Sequence, residues 1–205
     1  MGRSNYLIEG LSGTGKTTVC DELQRRGYQA IHGDRELAYR GDPKTGEPTD
    51  VRSHEHHIWH VAKVQVLAAD QTEPVTFFCG GSRNFSKFID VFDGVFVLEV
   101  DLDTLNRRLD ERPDDEWGDG KPVERERILR WHETNEDVPK GAIAIDATAP
   151  IEHVVDQILS LSAARGYPWI PAPKVCRHRR SAASGSRTTP MPPVEPAAGH
   201  RWAGR

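Results

Sequence analysis

Apolar residues fall in short runs separated by longer stretches of helical periodicity, a pattern that predicts strands and helices in alternation. Tyr6-Leu7-Ile8 predicts a first strand, and a glycine-rich stretch from Gly10 to Gly15 follows it at once. A helix is predicted from Lys16 to Arg26, with Val19, Cys20 and Leu23 on one face and Gly27 as its left-handed closing residue. Tyr28 to Ile31 predicts a second strand. Residues 34–50 are polar and rich in turn signals, and a long helical pattern covers residues 53–70. Val75 to Cys79 and Gly94 to Val100 are apolar enough for central strands. Asp103 is placed to cap a helix running to about Glu111, a charged loop reaches Pro122, and Val123 to Glu136 is helical again. Ala142 to Asp146 predicts the last strand, and Ile151, Val154, Val155, Ile158 and Leu159 recur at helical spacing after Pro150. Strands and helices in this order call for an α/β fold with a mainly parallel sheet covered on both faces.

Composition divides the chain. Its 205 residues suit one domain, expected over 1–170. Residues 171–205 hold seven basic residues against Glu195 alone and six of the fourteen prolines, with few large apolar residues, so they are expected to form a disordered basic tail. The net charge of −4 thus hides a tail of +6 on a body of −10. An acidic body argues against a nucleic-acid-binding core; nucleic acid could reach the chain only through the tail. No apolar run is long enough to cross a bilayer, and the first residues do not read as a secretory signal, so the expected location is the cytoplasm, with no membrane partner. Three scattered cysteines build neither a disulfide framework nor a zinc ribbon.

The chemistry begins at Gly10-Leu11-Ser12-Gly13-Thr14-Gly15-Lys16-Thr17, which satisfies the phosphate-loop pattern G-x-x-x-x-G-K-S/T between a predicted strand and a predicted helix. In that setting bare backbone N–H groups and the helix dipole converge on an anion, and side chains on the glycines would block its approach. Gly10, Ser12, Gly13, Thr14, Gly15, Lys16, Thr17 and Thr18 are therefore the expected ATP-binding set. Lys16 would neutralise the β- and γ-phosphates, and the Thr17 hydroxyl would hold Mg²⁺.

With this loop in this order of elements, the chain resembles the P-loop small-molecule kinases, the group that contains nucleoside monophosphate, shikimate and gluconate kinases. The resemblance covers residues 5–162. It implies a three-layer fold whose five parallel strands lie in the order 2-3-1-4-5, with a helical lid, and an ATP-dependent transfer of phosphate to a small-molecule acceptor. Asp34, just past the second strand, stands where shikimate-type kinases keep the acidic residue that binds the acceptor hydroxyl; a turn aspartate is the plain alternative. Gly80 and Gly81 look like acceptor-binding glycines, and Arg83 falls where nucleotide kinases often keep a substrate arginine. Arg108 and Arg112, four residues apart, would share a helix face at the mouth of the lid and clamp the transferring phosphoryl group, or else pair with glutamates on a solvated helix. Asp146 and Ala147 resemble the loop that borders adenine.

The chain also departs from the pattern. Cys79 ends the third strand where many P-loop enzymes place an acidic Mg²⁺ ligand, leaving Asp34 to share that duty with Thr17. The second-helix motif of shikimate kinases is replaced by Ser53-His54-Glu55-His56-His57-Ile58-Trp59-His60, and the adenylate-kinase Asp-Gly-Phe-Pro-Arg motif is missing. The histidines there read as a substrate-facing or solvated helix, and Trp59, Trp117, Trp131 and Trp169 as packing residues. A hydroxyl acceptor on a nucleoside or sugar-like metabolite is expected. The alternatives are a nucleoside monophosphate acceptor, a regulatory or nucleic-acid-associated ATPase with no small acceptor, and a non-catalytic nucleotide-binding module.

Overall fold

The elements follow the predicted alternation with one insertion. In chain order they are β1 (Ser4–Glu9), α1 (Lys16–Arg25), β2 (Gln29–His32), α2 (Gly33–Glu36), β3 (Ala38–Arg40), β4 (His57–Trp59), α3 (Val61–Ala69), β5 (Val75–Cys79), β6 (Gly94–Glu99), α4 (Leu102–Asp110), α5 (Lys121–Thr134), β7 (Ile143–Asp146) and α6 (Ile151–Ala164). This computed structural model describes residues 4–114, 117, 120–136 and 138–164. The expected boundary after residue 170, the basic tail and Trp169 lie outside them.

Five strands form one parallel sheet in the order β2-β5-β1-β6-β7. Counted in chain order within that sheet they read 2-3-1-4-5, the arrangement the family resemblance implied. Alternation along β1 sends Tyr6 and Ile8 into one apolar cluster and Leu7 into another, so both faces of the sheet are covered. The first cluster takes Val19, Cys20 and Leu23 of α1 and Val154, Val155, Ile158 and Leu159 of α6. The second takes Leu37, Trp59 and Val64. The predicted apolar faces of α1 and α6 are thus the buried ones. Gly27 closes α1 at φ +86°, with the Tyr28 amide donating to the Leu23 carbonyl and the Gly27 amide to that of Gln24.

Two expectations are corrected. The helix expected over residues 53–70 is a short 3₁₀ turn at His54–His56, strand β4, and only then helix α3. Long-range hydrogen bonds override the local periodicity here: β4 pairs antiparallel with β3, and the side chain of Asn84 takes both backbone polar groups of Trp59. Its Oδ1 accepts from the Trp59 amide at 3.0 Å, and its Nδ2 donates to the Trp59 carbonyl at 3.0 Å. The cap of α4 is Asp101, whose Oδ1 accepts from the Thr104 amide at 2.7 Å, and not Asp103, which lies in the first turn.

The small β3–β4 ribbon is anchored to the main sheet through Trp59, a fully buried ring stacked on Phe88 at 5.6 Å. The indole fills space that two glycines leave open. A Cβ on Gly33 would lie 2.1 Å from Trp59 Cζ2, and one on Gly80 would lie 2.7 Å from the same atom. Gly33→Ala should therefore destabilise the protein by about 1–3 kcal/mol through overpacking. Urea unfolding followed by fluorescence measures it; an unchanged midpoint would mean that the indole has room to move.

Candidate functional site

Strand β1 delivers the chain to the phosphate loop at the C-terminal edge of the sheet. Gly10 has φ +151°, and a Cβ there would meet Thr14 Oγ1 at 2.6 Å and the Leu98 carbonyl at 2.9 Å. Gly15, left-handed at φ +102°, is the N-cap of α1 and brings no capping side chain, so the first-turn N–H groups stay open toward an anion. Thr14 closes the turn by donating from Oγ1 to the Leu11 carbonyl at 2.8 Å. Lys16 curls over the loop and donates to the carbonyls of Gly10 (2.6 Å) and Leu11 (2.9 Å). Burial pulls its pKa down, against the opposing pull of Asp34 and Glu9.

A cavity of about 620 Å³ opens over this loop, lined by residues 12–19, Asp34, Arg108, Arg112, Ala147, Ala149 and Ile151 among others. Thr17 and Thr18 are exposed at it. Arg108 spans its wall, with Nη1 donating to the carbonyls of Gly13 (3.2 Å) and Thr14 (3.0 Å) and Nη2 to that of Ala147 (2.9 Å). It ties helix α4 to the phosphate loop and to the loop after β7. Ala147 lines the cavity as expected. Asp146 does not: its Oδ1 accepts from the amide and hydroxyl of Thr148, which closes the turn and leaves the carboxylate away from the cavity wall.

A second cavity of about 330 Å³ lies beside the first, and Ser12, Lys16, Asp34 and Arg112 line both. Asp34 is held at this junction by Oδ1, which hydrogen-bonds the Gly81 amide at 3.0 Å and His57 Nε2 at 3.1 Å. Burial opposes ionisation of Asp34, but the His57 hydrogen bond and the Lys16 charge outweigh it and hold the pKa below the ordinary aspartate value. Gly81 and Arg83 line the smaller cavity. Gly80 does not; its place is behind the wall, where a Cβ would strike Asp34 Oδ1 at 2.6 Å and the Trp59 ring.

The two other indoles among the described residues are buried as expected of packing residues, Trp117 within the first apolar cluster, and each also carries an arginine on its face. The Arg83 guanidinium lies 3.7 Å from the centre of the Trp131 ring, and that of Arg112 lies 4.7 Å from the Trp117 ring. Arg112 also donates to Ser12 Oγ at 3.0 Å. Burial pulls the Arg83 pKa down to about 10, still high enough to keep its charge. The histidines disperse: His54 and His57 line the smaller cavity, His56 Nδ1 lies 3.3 Å from the Gly41 carbonyl, and His60 stacks on Tyr39. His54 Nδ1 meets the buried Glu124 of α5 at 2.9 Å, so α5, with Glu124, Ile128 and Trp131, roofs the cavity.

Sequence reasoning missed Glu9, Arg40, Arg52, Glu124 and Trp131 as cavity residues. Glu9 carried a signal: it is an acidic residue closing an apolar strand directly before the loop. The others come from segments whose approach depends on the β3–β4 ribbon and on α5. Glu9 is 5% exposed. Burial pushes its carboxyl up to about 8 from an ordinary value of 4.5, although Lys16 pulls the other way.

A family model for the AAA domain matches residues 7–132, more than half of the chain. Among solved structures the fold is similar to that of a gluconokinase from Sinorhizobium meliloti 1021, at 23% identity and TM-score 0.50, over 78% of this chain and 92% of that one. It is similar also to a sugar kinase from Janibacter sp. HTCC2649, at 17% identity and TM-score 0.50, over 82% of this chain and 99% of that one. A third is a shikimate kinase from Acinetobacter baumannii in complex with shikimate, at 17% identity and TM-score 0.50, over 80% and 95% of the two chains. No curated protein sequence matches the chain.

The raised pKa of Glu9 has a consequence for stability whose sign can be measured. The folded chain holds this proton up to about pH 8 and the unfolded chain only to about 4.5, so Glu9 costs stability progressively as pH rises through that window. Glu9→Gln cannot ionise and escapes the cost. Its stability relative to the parent should rise by a few kcal/mol between those pH values, at about 1.4 kcal/mol per pKa unit. Parallel urea titrations across pH check this; a constant difference would mean an ordinary carboxyl.

Proposed function

The chain belongs to the AAA domain family of P-loop proteins and has the fold of small-molecule kinases, and from that premise we propose that it transfers the γ-phosphoryl group of ATP to a hydroxyl of a small, anionic, sugar-like or nucleoside-like acceptor. The observation that carries this reading is the meeting of two cavities at Lys16 and Asp34. A P-loop protein that only hydrolyses nucleotide has no need of the second.

The larger cavity fits a nucleotide triphosphate. Its floor is the uncapped first turn of α1 with the left-handed Gly15, and Lys16 and the exposed Thr17 and Thr18 border it. ATP would supply the phosphoryl group to be moved. Among the described residues no three His, Cys, Asp or Glu side chains converge as a metal site of their own. Mg²⁺ would therefore be held jointly by phosphate oxygens and by Thr17 and Asp34, the oxygen donors that suit this ion. Ala147 and Ala149 form an apolar edge to the cavity that suits a base.

Lys16, Arg40, Arg52, Arg83 and Arg112 all line the smaller cavity. With Glu9 protonated at neutral pH they outnumber the ionised carboxylates there, so the cavity favours an acceptor that carries a carboxylate or a phosphate. Asp34, ionised and hydrogen-bonded to His57, stands at the junction to take the proton of an attacking hydroxyl. Arg112, on the same junction, offsets the charge that develops on the transferred group. Catalysis by such residues is positioning and charge stabilisation in a partly dry site.

Transfer of label from [γ-³²P]ATP across a panel of sugar acids, sugar phosphates, nucleosides and nucleoside monophosphates tests the reading. Acceptor-dependent transfer is expected, and release of inorganic phosphate alone, whatever the acceptor, would contradict it. In the active assay Lys16→Ala should abolish transfer while leaving the unfolding midpoint within the range of other surface-loop changes. Asp34→Asn should slow transfer to a hydroxyl by about 10² to 10⁴. A loss below about fivefold at every Mg²⁺ concentration would instead point to an acceptor that arrives already ionised, such as a nucleoside monophosphate.

A further inference from the structure

Glu9 and Glu124 are buried carboxyls in the smaller cavity that the proposed chemistry leaves unused, and of the two Glu9 adjoins the phosphate loop, while Glu124 meets His54. The Glu9 side chain closes β1 and is 5% exposed, yet it lines the cavity wall. Oε2 finds no hydrogen-bond partner among the described residues. A buried carboxyl oxygen without a donor is costly, and an apolar side chain such as those of Leu7 and Ile8 would serve the strand better.

Gly81 sets the position of this carboxyl relative to Asp34. The Gly81 amide holds Asp34 Oδ1 at 3.0 Å, while a Cβ on Gly81 would lie 3.2 Å from Glu9 Oε1. One glycine thus has a carboxyl on either side, and any larger residue would press on Glu9. The two acids are driven apart in strength by their surroundings: Asp34 is held ionised, and Glu9 is held protonated. The groups facing Glu9 are Lys16 from α1, Asp34 from α2, the Ser82 amide and Arg83 from the segment after β5, and, around an adjoining cavity of about 260 Å³, Glu99 at the end of β6 and His132 of α5; His54, His57, Arg112 and Glu124 also line its own cavity.

We propose that Glu9 is a specificity-determining acceptor contact, which holds a second hydroxyl across Gly81 from the one engaged by Asp34, so that the acceptor presents two neighbouring hydroxyls. A protonated carboxyl both donates and accepts, and so matches a hydroxyl in either sense; an ionised one only accepts. The assignment rests on the kinase reading and narrows it to anionic compounds with a vicinal diol.

The test uses the full chain with gluconate, shikimate, ribose 5-phosphate and myo-inositol 1-phosphate as probes, followed by kinetics on the one phosphorylated fastest. Glu9→Ala should raise the acceptor KM by about tenfold or more with the ATP KM unmoved, and Glu9→Gln, which keeps a donor and an acceptor, should recover most of that loss. In the parent enzyme the acceptor KM should climb at least about fivefold between pH 7 and pH 9 as Glu9 ionises, while in Glu9→Gln it stays flat. That comparison needs only the parent and Glu9→Gln, and a merely structural role would move the ATP KM along with the acceptor KM. Transfer by the parent with the same pH profile in both proteins overturns the role of Glu9 alone. Transfer to none of the four probes overturns the kinase reading for diol acids and this assignment with it.

Discussion

Asp34 Oδ1 takes two hydrogen bonds, one from the Gly81 amide and one from His57. They join three segments that are far apart in sequence: the start of α2, the ribbon strand β4, and the turn after β5. The junction of the two cavities is built on that convergence, because Asp34 can reach it only while the ribbon is pressed against the sheet edge. Trp59 does the pressing. Its ring occupies the space left by Gly33 and Gly80, and Asn84 fixes its backbone on both sides. The position of one carboxylate therefore depends on apolar packing and amide hydrogen bonds several residues away, which is how a rigid scaffold sets functional geometry.

Charge is distributed around that point in an uneven way. Lys16 and Arg83 are partly desolvated, and burial pulls both of their pKa values down. Arg83 and Arg112 rest on the faces of Trp131 and Trp117, whose negative π-faces favour a guanidinium there. Arg108 is spent differently: its donors go to three backbone carbonyls, so it holds the phosphate loop against helix α4. The expected shared helix face is not formed: Arg108 lies within α4 and Arg112 just past its end, and their contacts differ.

Much of the frame was legible in the chain. The phosphate loop, α1 and the central strands follow from residue pattern alone, since each is determined by local glycine chemistry or by continuous apolar runs. The family resemblance supplied the strand order. What was not legible depended on distant partners. Residues 53–70 have helical spacing, but the amides of Trp59 and His60 are taken by Ser82, Asn84 and Leu37, which no local pattern reveals. Asp34 and Arg83 were named from their places after strands. Glu9 and Trp131 were passed over because an acid in a strand and an indole in a helix each have a commonplace structural explanation. Gly80 and Asp146 were assigned to ligands from their neighbours in sequence, whereas the structure uses one for close packing and the other to close a turn.

The central claim is that phosphoryl transfer takes place where the two cavities meet, between Lys16 and Asp34. A crystal structure of the chain with ADP, Mg²⁺, aluminium fluoride and the best acceptor tests it most directly. The fluoride complex is expected beside Lys16 at the junction, with an acceptor oxygen within about 3 Å of Asp34. A fluoride complex with a water in the attacking position and the acceptor absent from the 330 Å³ cavity would contradict it.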